Sequence, residues 1–292
     1  MRIPRIKYQY SQSSNSKGFK FLDLDPQIPV DSNSGHNNKD LLYEYHHIDF
    51  FAILVITKGE VNHWVDFKSN RVKTGEILII TKGQVHAFDK ESVYHGHLMI
   101  FSEEFLQRHF TQSTIKKIPF LYEYLDQKLI YTLPKENIEI ISWIQAGLDS
   151  KSNLITNQVG ALLSYFLLNL VEEKDEDIQY HRNQELFYKF QKLVEANYQK
   201  SRNAKDYAIQ LNISYKHLND ICKFMCNRTA KRLIDDYVIL EAKRHLVLST
   251  YSVKEISFEL GFEDPTNFRK YFNKQTGTTP NEFLRRLQIN IS

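Results

Sequence analysis

A chain of 292 residues that is 42% hydrophobic has material for two buried cores, and its length predicts two domains. Its two cysteines, Cys222 and Cys226, stand four apart in one predicted helix, which excludes a disulfide framework, and with only His217 nearby they lack the ligands of a zinc site. The net charge of +3 is split: residues 185–292 carry 18 Lys and Arg against 12 Asp and Glu, a balance of +6, while residues 1–184 stand at −3. A basic C-terminal third on a mildly acidic body is the footprint of a domain that binds a polyanion.

The opening segment, MRIPRIKYQYSQSS, lacks the apolar core of a signal peptide. The longest apolar run, 159–171, is broken by Ser164 and Asn169 and is too short to span a bilayer. A cytoplasmic protein with no membrane partner is therefore expected. Residues 1–40 are polar and poorly periodic, a lead-in expected to be partly disordered, with one short strand candidate at 19–24.

From residue 41 to 101 short apolar runs alternate with turns. FFAILVI at 50–56 is β-branched and aromatic and ends at Lys58-Gly59. Residues 61–67 alternate and lead to a polar turn at 68–70; Lys73-Thr74-Gly75-Glu76 makes another turn before ILII at 77–80. His86 opens a further strand and 97–101 closes the series. Short strands with Gly-bearing turns at roughly ten-residue spacing predict a small antiparallel barrel or jelly roll.

At Ser102 the period becomes helical. Helices are predicted at 103–110, 137–148 and 155–171, the last too apolar for a single exposed face. It should lie against the barrel and offer its remainder either to the core or to a second copy of the chain. The charged run EEKDED at 172–177 marks a break. The expected domains are a strand-rich domain with flanking helices at 41–172, a linker at 173–184 and an all-helical domain at 185–292.

Within the helical domain a weak repeat is legible. Residues 207–213, YAIQLNI, align with 256–262, ISFELGF, at an offset of 49; Ile221-Cys222 matches Tyr271-Phe272 and Cys226-Asn227 matches Thr276-Gly277 at an offset of 50. Asn stands where Gly stands at both turn positions, and Asn tolerates left-handed backbone best after Gly. In the second copy Gly261 turns one helix into the next, Asp264 caps it with Pro265 at its first position, and Gly277 stops it. Phe268, Tyr271 and Phe272 face inward, leaving Thr266, Asn267, Arg269, Lys270 and Asn273 outward. Thr279-Pro280-Asn281-Glu282 has the spacing of a capping box. Residues 233–248 join the copies as a helix roughly 24 Å long, able to set two reading helices into successive major grooves about 34 Å apart.

These residues closely resemble the AraC/XylS family of bacterial transcription regulators, through ISFELGF at 256–262 and NFRKYFNKQTGTTPNEF at 267–283. The resemblance covers about 185–287 and implies two helix-turn-helix units whose second helices enter the major groove of double-stranded DNA. Carried over, Tyr215, Lys216, Asn219 and Asp220 of the first unit and Thr266, Asn267, Arg269 and Lys270 of the second become candidate base contacts. Asn suits adenine edges and Lys suits guanine. Lys223, Lys231, Arg232, Asn273, Lys274 and Arg285 become candidate phosphate contacts. The first unit departs from the family pattern, with Cys222 where a large aromatic is usual, Asn227 for Gly and Asp220 for a base. The second is expected to carry more of the recognition.

TKGE at 57–60, VDFK at 65–68, KTGEILII at 73–80 and KGQVH at 82–86 resemble the cupin-type barrel that precedes this domain in many family members. That resemblance implies a small-molecule effector in the barrel and a homodimer through the flanking helices; RNA polymerase is a candidate partner. Tyr43, His47, Trp64, His86 and Phe88 are the candidate pocket residues. The whole is expected to be α+β: a cupin-like β-barrel with flanking helices, then an all-α double helix-turn-helix domain. The alternative is a metal-dependent cupin enzyme with a DNA-binding tail, and His47, Asp49 and His86 are its only partial ligand set. A regulator with no cofactor, no metal and no enzymatic activity is the favoured reading.

Overall fold

The structure, a computed structural model, describes residues 18–25, 45–89, 92–122, 128–149, 155–171 and 178–289. It divides into two compact units that part at residue 173.

The first unit is built around one long strand. β3 (Phe51–Val65) pairs through its first half with β7 (Tyr94–Phe101) and β5 (Glu76–Ile80), and through its second half with β4 (Lys68–Lys73) and β6 (Val85–Phe88). β1 (Phe19–Leu24) adds to β7, β8 (Ile130–Thr132) to β5, and the two-residue β2 (His46–His47) to β6, all antiparallel. The path ends at β1 and β8, so among the described residues the sheet is not closed, and the arrangement is the cupin-like one expected.

Gly59, at φ 84°, follows a register shift between Ile56 and Lys58, and a Cβ there would stand 2.5 Å from the Val93 carbonyl oxygen. The β3 strand therefore continues through the Lys58-Gly59 expected to end it. The extra residue of such a bulge changes which parity faces inward. Ala52, Leu54 and Ile56 lie in the same core as Val61 and Val65, together with Leu78, Ile80, Phe88, Leu98 and Ile100. The hairpin after it turns at Asp66-Phe67, both at positive φ, and not at 68–70, which is strand β4. Primed turns favour Asn and Gly there, and Asp-Phe hides the signal. Here Asp66 accepts from the Val85 N–H and Phe67 packs on Tyr45.

Among the described residues this unit also has the α-helices α1 (Glu103–His109), α2 (Gln112–Lys117), α3 (Lys135–Asp149) and α4 (Ile155–Leu168). Buried Asn137 donates to the Phe166 carbonyl and accepts from Asn169, tying α3 to α4. The apolar residues of α4 divide between core (Val159, Leu163, Phe166, Leu167) and an exposed Tyr165.

The second unit is helical: α5 (Ile178–Asn197), α6 (Ala204–Gln210), α7 (Tyr215–Cys226), α8 (Ala230–Leu248), α9 (Val253–Glu259), α10 (Pro265–Thr276) and α11 (Pro280–Ile289). α5 begins inside the stretch expected to be linker. One apolar cluster runs through the whole unit, from Phe190 and Tyr207 through Leu218, Leu233, Val238 and Ala242 to Ile256, Phe268 and Phe272. α8 is its spine, since Leu233, Val238 and Ala242 all sit on that helix.

Candidate nucleic-acid interface and candidate effector site

The α6–α7 and α9–α10 pairs repeat each other bond for bond at the turn. Asn212 (φ 55°) and Gly261 (φ 75°) occupy the left-handed position. The following residues return to the first helix in the same way, Ile213 N–H to the Ala208 carbonyl and Phe262 N–H to the Ser257 carbonyl. Asn227 and Gly277, at φ 56° and 73°, close α7 and α10 in the same left-handed cap. Ser214 caps α7 through the His217 N–H and Asp264 caps α10 through the Thr266 N–H; hydrogen bonding from Thr266, backbone first and then side chain, holds the Asp264 carboxyl below its usual range, and the Lys270 charge adds to it.

α10 buries Phe268 and Phe272 and exposes Thr266, Asn267, Arg269, Lys270, Asn273 and Lys274 along its outer face. Among the described residues no side-chain hydrogen bond occupies Asn267 or Lys270. On α7, Tyr215, Lys216, Asp220 and Lys223 are exposed in the same manner, and Arg285 is exposed on α11. Asn219 differs. Its Oδ1 accepts from the Ala230 N–H at 3.0 Å and its Nδ2 donates to the Tyr215 carbonyl at 3.2 Å. The Oδ1 bond holds the start of α8 against α7, and the Nδ2 bond lies within α7, so Asn219 has a structural capping role beside its place on the candidate face.

Lys231 and Arg232, expected at phosphates, lie at the start of α8 and are paired at home. Lys231 bonds Asp235, and Arg232 bonds Asp236 (2.9 Å) and Gln275 (3.0 Å). Asp235 is also the acceptor for the Tyr271 hydroxyl at 2.7 Å, while Arg228 meets Asp236 at 2.8 Å. Burial, then the neighbouring Asp235, push the Tyr271 phenol well above its ordinary value, so it stays a donor. This carboxylate pair, which sequence reasoning missed, clamps α10 to α8. Its only sequence signal is the Asp235-Asp236 doublet amid basic residues.

In the first unit, the register pairs His46 with His86 and His47 with Val85. Residues opposite each other in a ladder share a face, so His46 joins His86, and His47 lies on the other side. Val65↔His86 and His63↔Phe88 place His63 and Phe88 on that interior face too, while Trp64↔Ala87 puts Trp64 on the outer one. His47 and Trp64, expected at the pocket, thus lie on the opposite face from His86 and Phe88, and His46 and His63 stand beside that pair. Tyr43 lies outside the described residues. His63 was recoverable from the alternation Val61-x-His63-x-Val65, had the bulge that reset the parity been visible.

The interior histidines touch. His63 Nε2 and His86 Nδ1 are 3.0 Å apart, His46 lies over His86 at 4.0 Å between centroids, and Phe88 meets His63 edge-on at 4.6 Å. Burial first, then neighbouring rings, depresses both His63, to about 3, and His86, so both are neutral near pH 7. A metal does not fit them. Two neutral rings hydrogen-bonded to each other retain one open lone pair between them. The partial set His47, Asp49 and His86 is not brought together, and among the described residues no group of three His, Cys, Asp or Glu is arranged to hold an ion.

Residues 36–149 match the family model of an AraC-like ligand binding domain, and 207–286 that of a helix-turn-helix domain. The chain is similar to the Msm operon regulatory protein of Streptococcus mutans, at 23% identity over 255 residues, 83% of this chain and 86% of that one. It is 33% identical over 92 residues to an uncharacterized HTH-type transcriptional regulator of Pseudoalteromonas carrageenovora, covering 32% of this chain and 54% of the relative. Among solved structures, ToxT from Vibrio cholerae is similar with a TM-score of 0.44 at 14% identity, covering 91% and 98% of the two chains.

Proposed function

The chain belongs to the AraC/XylS family of DNA-binding transcriptional regulators with a ligand-binding domain, and from that premise we propose how its residues divide the work. The exposed face of α10, presented by a capped helix on an aromatic core, supports base reading by Thr266, Asn267, Arg269 and Lys270. Lys216 and Tyr215 read from α7 with less reach, because Asp220 beside them repels phosphate. Lys223, Asn273, Lys274 and Arg285 hold the backbone. Lys231 and Arg232 contact phosphate only by sharing charge with Asp235 and Asp236. The single observation that carries this reading is the bond-for-bond repetition of two turn-and-helix units on one core.

The apolar interior of the first unit, with its buried histidines, supports a small-molecule effector site. Exposed Ile138 and Trp143 on α3 and Tyr165 on α4 support pairing with a second copy. RNA polymerase is the further partner of the DNA-bound state, and the cytoplasm is where DNA and polymerase meet it; no described helix is long and apolar enough to cross a membrane. The unit serves as a sensor rather than an enzyme. Effector binding changes how the sensing unit holds the DNA-binding unit, by binding one arrangement more tightly than another. Mapping the sites occupied in its own genome tests the reading. A shared sequence element is expected, with its preference at one or two base pairs lost in Lys270→Ala; occupancy without any shared element sinks it.

A further inference from the structure

We infer that Arg202 is a positioning residue for DNA recognition: by fixing the angle between the two helix-turn-helix units, it sets the spacing of the two DNA segments they read. This rests on the DNA-binding reading above and deepens it.

Arg202 lies in the short segment between α5 and α6, next to Asn203, the N-cap of α6. That segment belongs to the first unit. The Tyr207 hydroxyl donates to the Ser201 carbonyl at 2.7 Å, the Ser201 hydroxyl donates to Asp206, and the Asn203 N–H donates back to Ser201 Oγ. The guanidinium of Arg202 leaves this segment and meets the second unit at its turn. It donates from Nη2 to the Leu260 carbonyl at 2.5 Å and lies over the Phe262 ring, 3.7 Å from the centroid. Phe262 in turn packs on Phe268 and Tyr271 of α10, at 5.3 and 5.4 Å between centroids, so the contact reaches the root of the second reading helix. The backbones close in as well: a Cβ on Gly261 would stand 1.9 Å from the Gln199 carbonyl oxygen.

The repeat separates this contact from the helix-turn-helix fold itself. At the offset of 49 that aligns the two turns, Arg202 corresponds to Tyr251, which is 52% exposed, and Gly261 to Asn212, which carries a Cβ. A residue needed to build one unit would recur in both. Arg202 and Gly261 each stand in one copy alone, where that copy meets the other. Stability by itself does not account for an arginine here either, since its Nε is buried with no hydrogen-bond partner, and an unmet buried donor is a cost to folding. α8 joins the units through one helix, and Arg202 adds a tie from a separate segment. Two ties fix an angle that a single hinge leaves free. On DNA that angle matters, because one base pair of spacer turns a reading site by roughly 35° and carries it about 3.4 Å along the axis. Two helices at a fixed angle accept one spacing, whereas two that swing accept several.

The test uses the full chain. Duplexes that the wild type selects from a randomised library are remade with one base pair added to or removed from the spacer between their two recurring segments, and binding is followed by fluorescence anisotropy. The wild type should lose about tenfold or more in affinity on either change. Arg202→Ala should bind all three spacings within about threefold of one another, with the base preference inside each segment unchanged. Arg202→Lys keeps the charge and loses the planar stack, so it should relax spacing in the same way, and it decides alone if the alanine variant does not fold. Tyr251→Ala, at the equivalent place in the second unit, should keep the wild-type discrimination. An Arg202→Ala protein that is less stable yet still rejects the altered spacers about tenfold would overturn the inference, leaving Arg202 a residue of the fold. So would equal relaxation in Tyr251→Ala. A wild type that selects a single segment, or tolerates all three spacings, overturns the spacing role while DNA reading stands; selection of no recurring element overturns both.

Discussion

The two helix-turn-helix units share a turn geometry and differ in what holds the reading helix. α7 packs through Leu218, Ile221 and the small Cys222, whereas α10 packs through Phe268 and Phe272, with Tyr271 reaching Asp235 on α8. The counterpart of Tyr271 is Ile221, which has no hydroxyl to offer. The first reading helix is instead tied to α8 by Asn219, whose Oδ1 accepts from the Ala230 N–H. Sequence similarity between the copies thus conceals a division: the second unit spends core and linker residues on positioning and keeps its outer face whole, while the first spends an outer-face residue on the same task.

The two turns offer the largest test of this contrast. A Cβ on Gly261 would lie 1.9 Å from the Gln199 carbonyl oxygen, backbone that cannot step aside, at a φ of 75°. Gly261→Ala should cost about 3 kcal/mol or more in urea unfolding followed by far-UV circular dichroism. Gly277, with nothing within 4 Å of its Cβ position, should lose only about 1 kcal/mol on the same change. Equal losses would mean that the close approach to Gln199 is not what requires glycine.

Next is the clamp. Asp235→Asn removes the charge that Lys231 and the Tyr271 hydroxyl share, and should lower stability by about 1–2 kcal/mol and weaken DNA binding through the second unit alone. Footprinting that shows both half-sites weakened equally would break the assignment of Asp235 to α10.

The smallest effect separates the two asparagines. Asn267→Ala should leave stability within about 0.5 kcal/mol and relax preference at one base pair by about 1–3 kcal/mol. Asn219→Ala should do the reverse, costing about 1 kcal/mol of stability with the preferred sequence intact. Binding-site selection beside an unfolding titration reads both, and a changed preference in the Asn219 variant would return it to the base readers.

Helix ends were legible where a side chain near in sequence does the capping. Ser214, Asp264 and the left-handed Asn227 and Gly277 all stand where their residue types place them. Even so, one signal was overlooked: Ser252 and Glu255 form a full capping box, while Thr279 accepts from the Glu282 N–H and Glu282 itself turns to Arg286. The N-terminal unit was harder to read, because β-parity carries information only while the register is unbroken. One bulge between Ile56 and Lys58 moved the inward face to the odd residues and brought His63 inside.

The sequence by itself determined the family, the two-part α+β organisation, the two paired turns and the outward face of α10. All of these depend on local spacing, backbone permissiveness and helical period, which neighbours in the chain control. Only the tertiary structure decided which residues of the two units bond within the protein and which histidines face the interior. Asn219 with Ala230, Asp235 with Tyr271, and His63 with His86 meet across 11, 36 and 23 residues. No periodicity reports a hydrogen bond that forms only after the core has brought its two ends together.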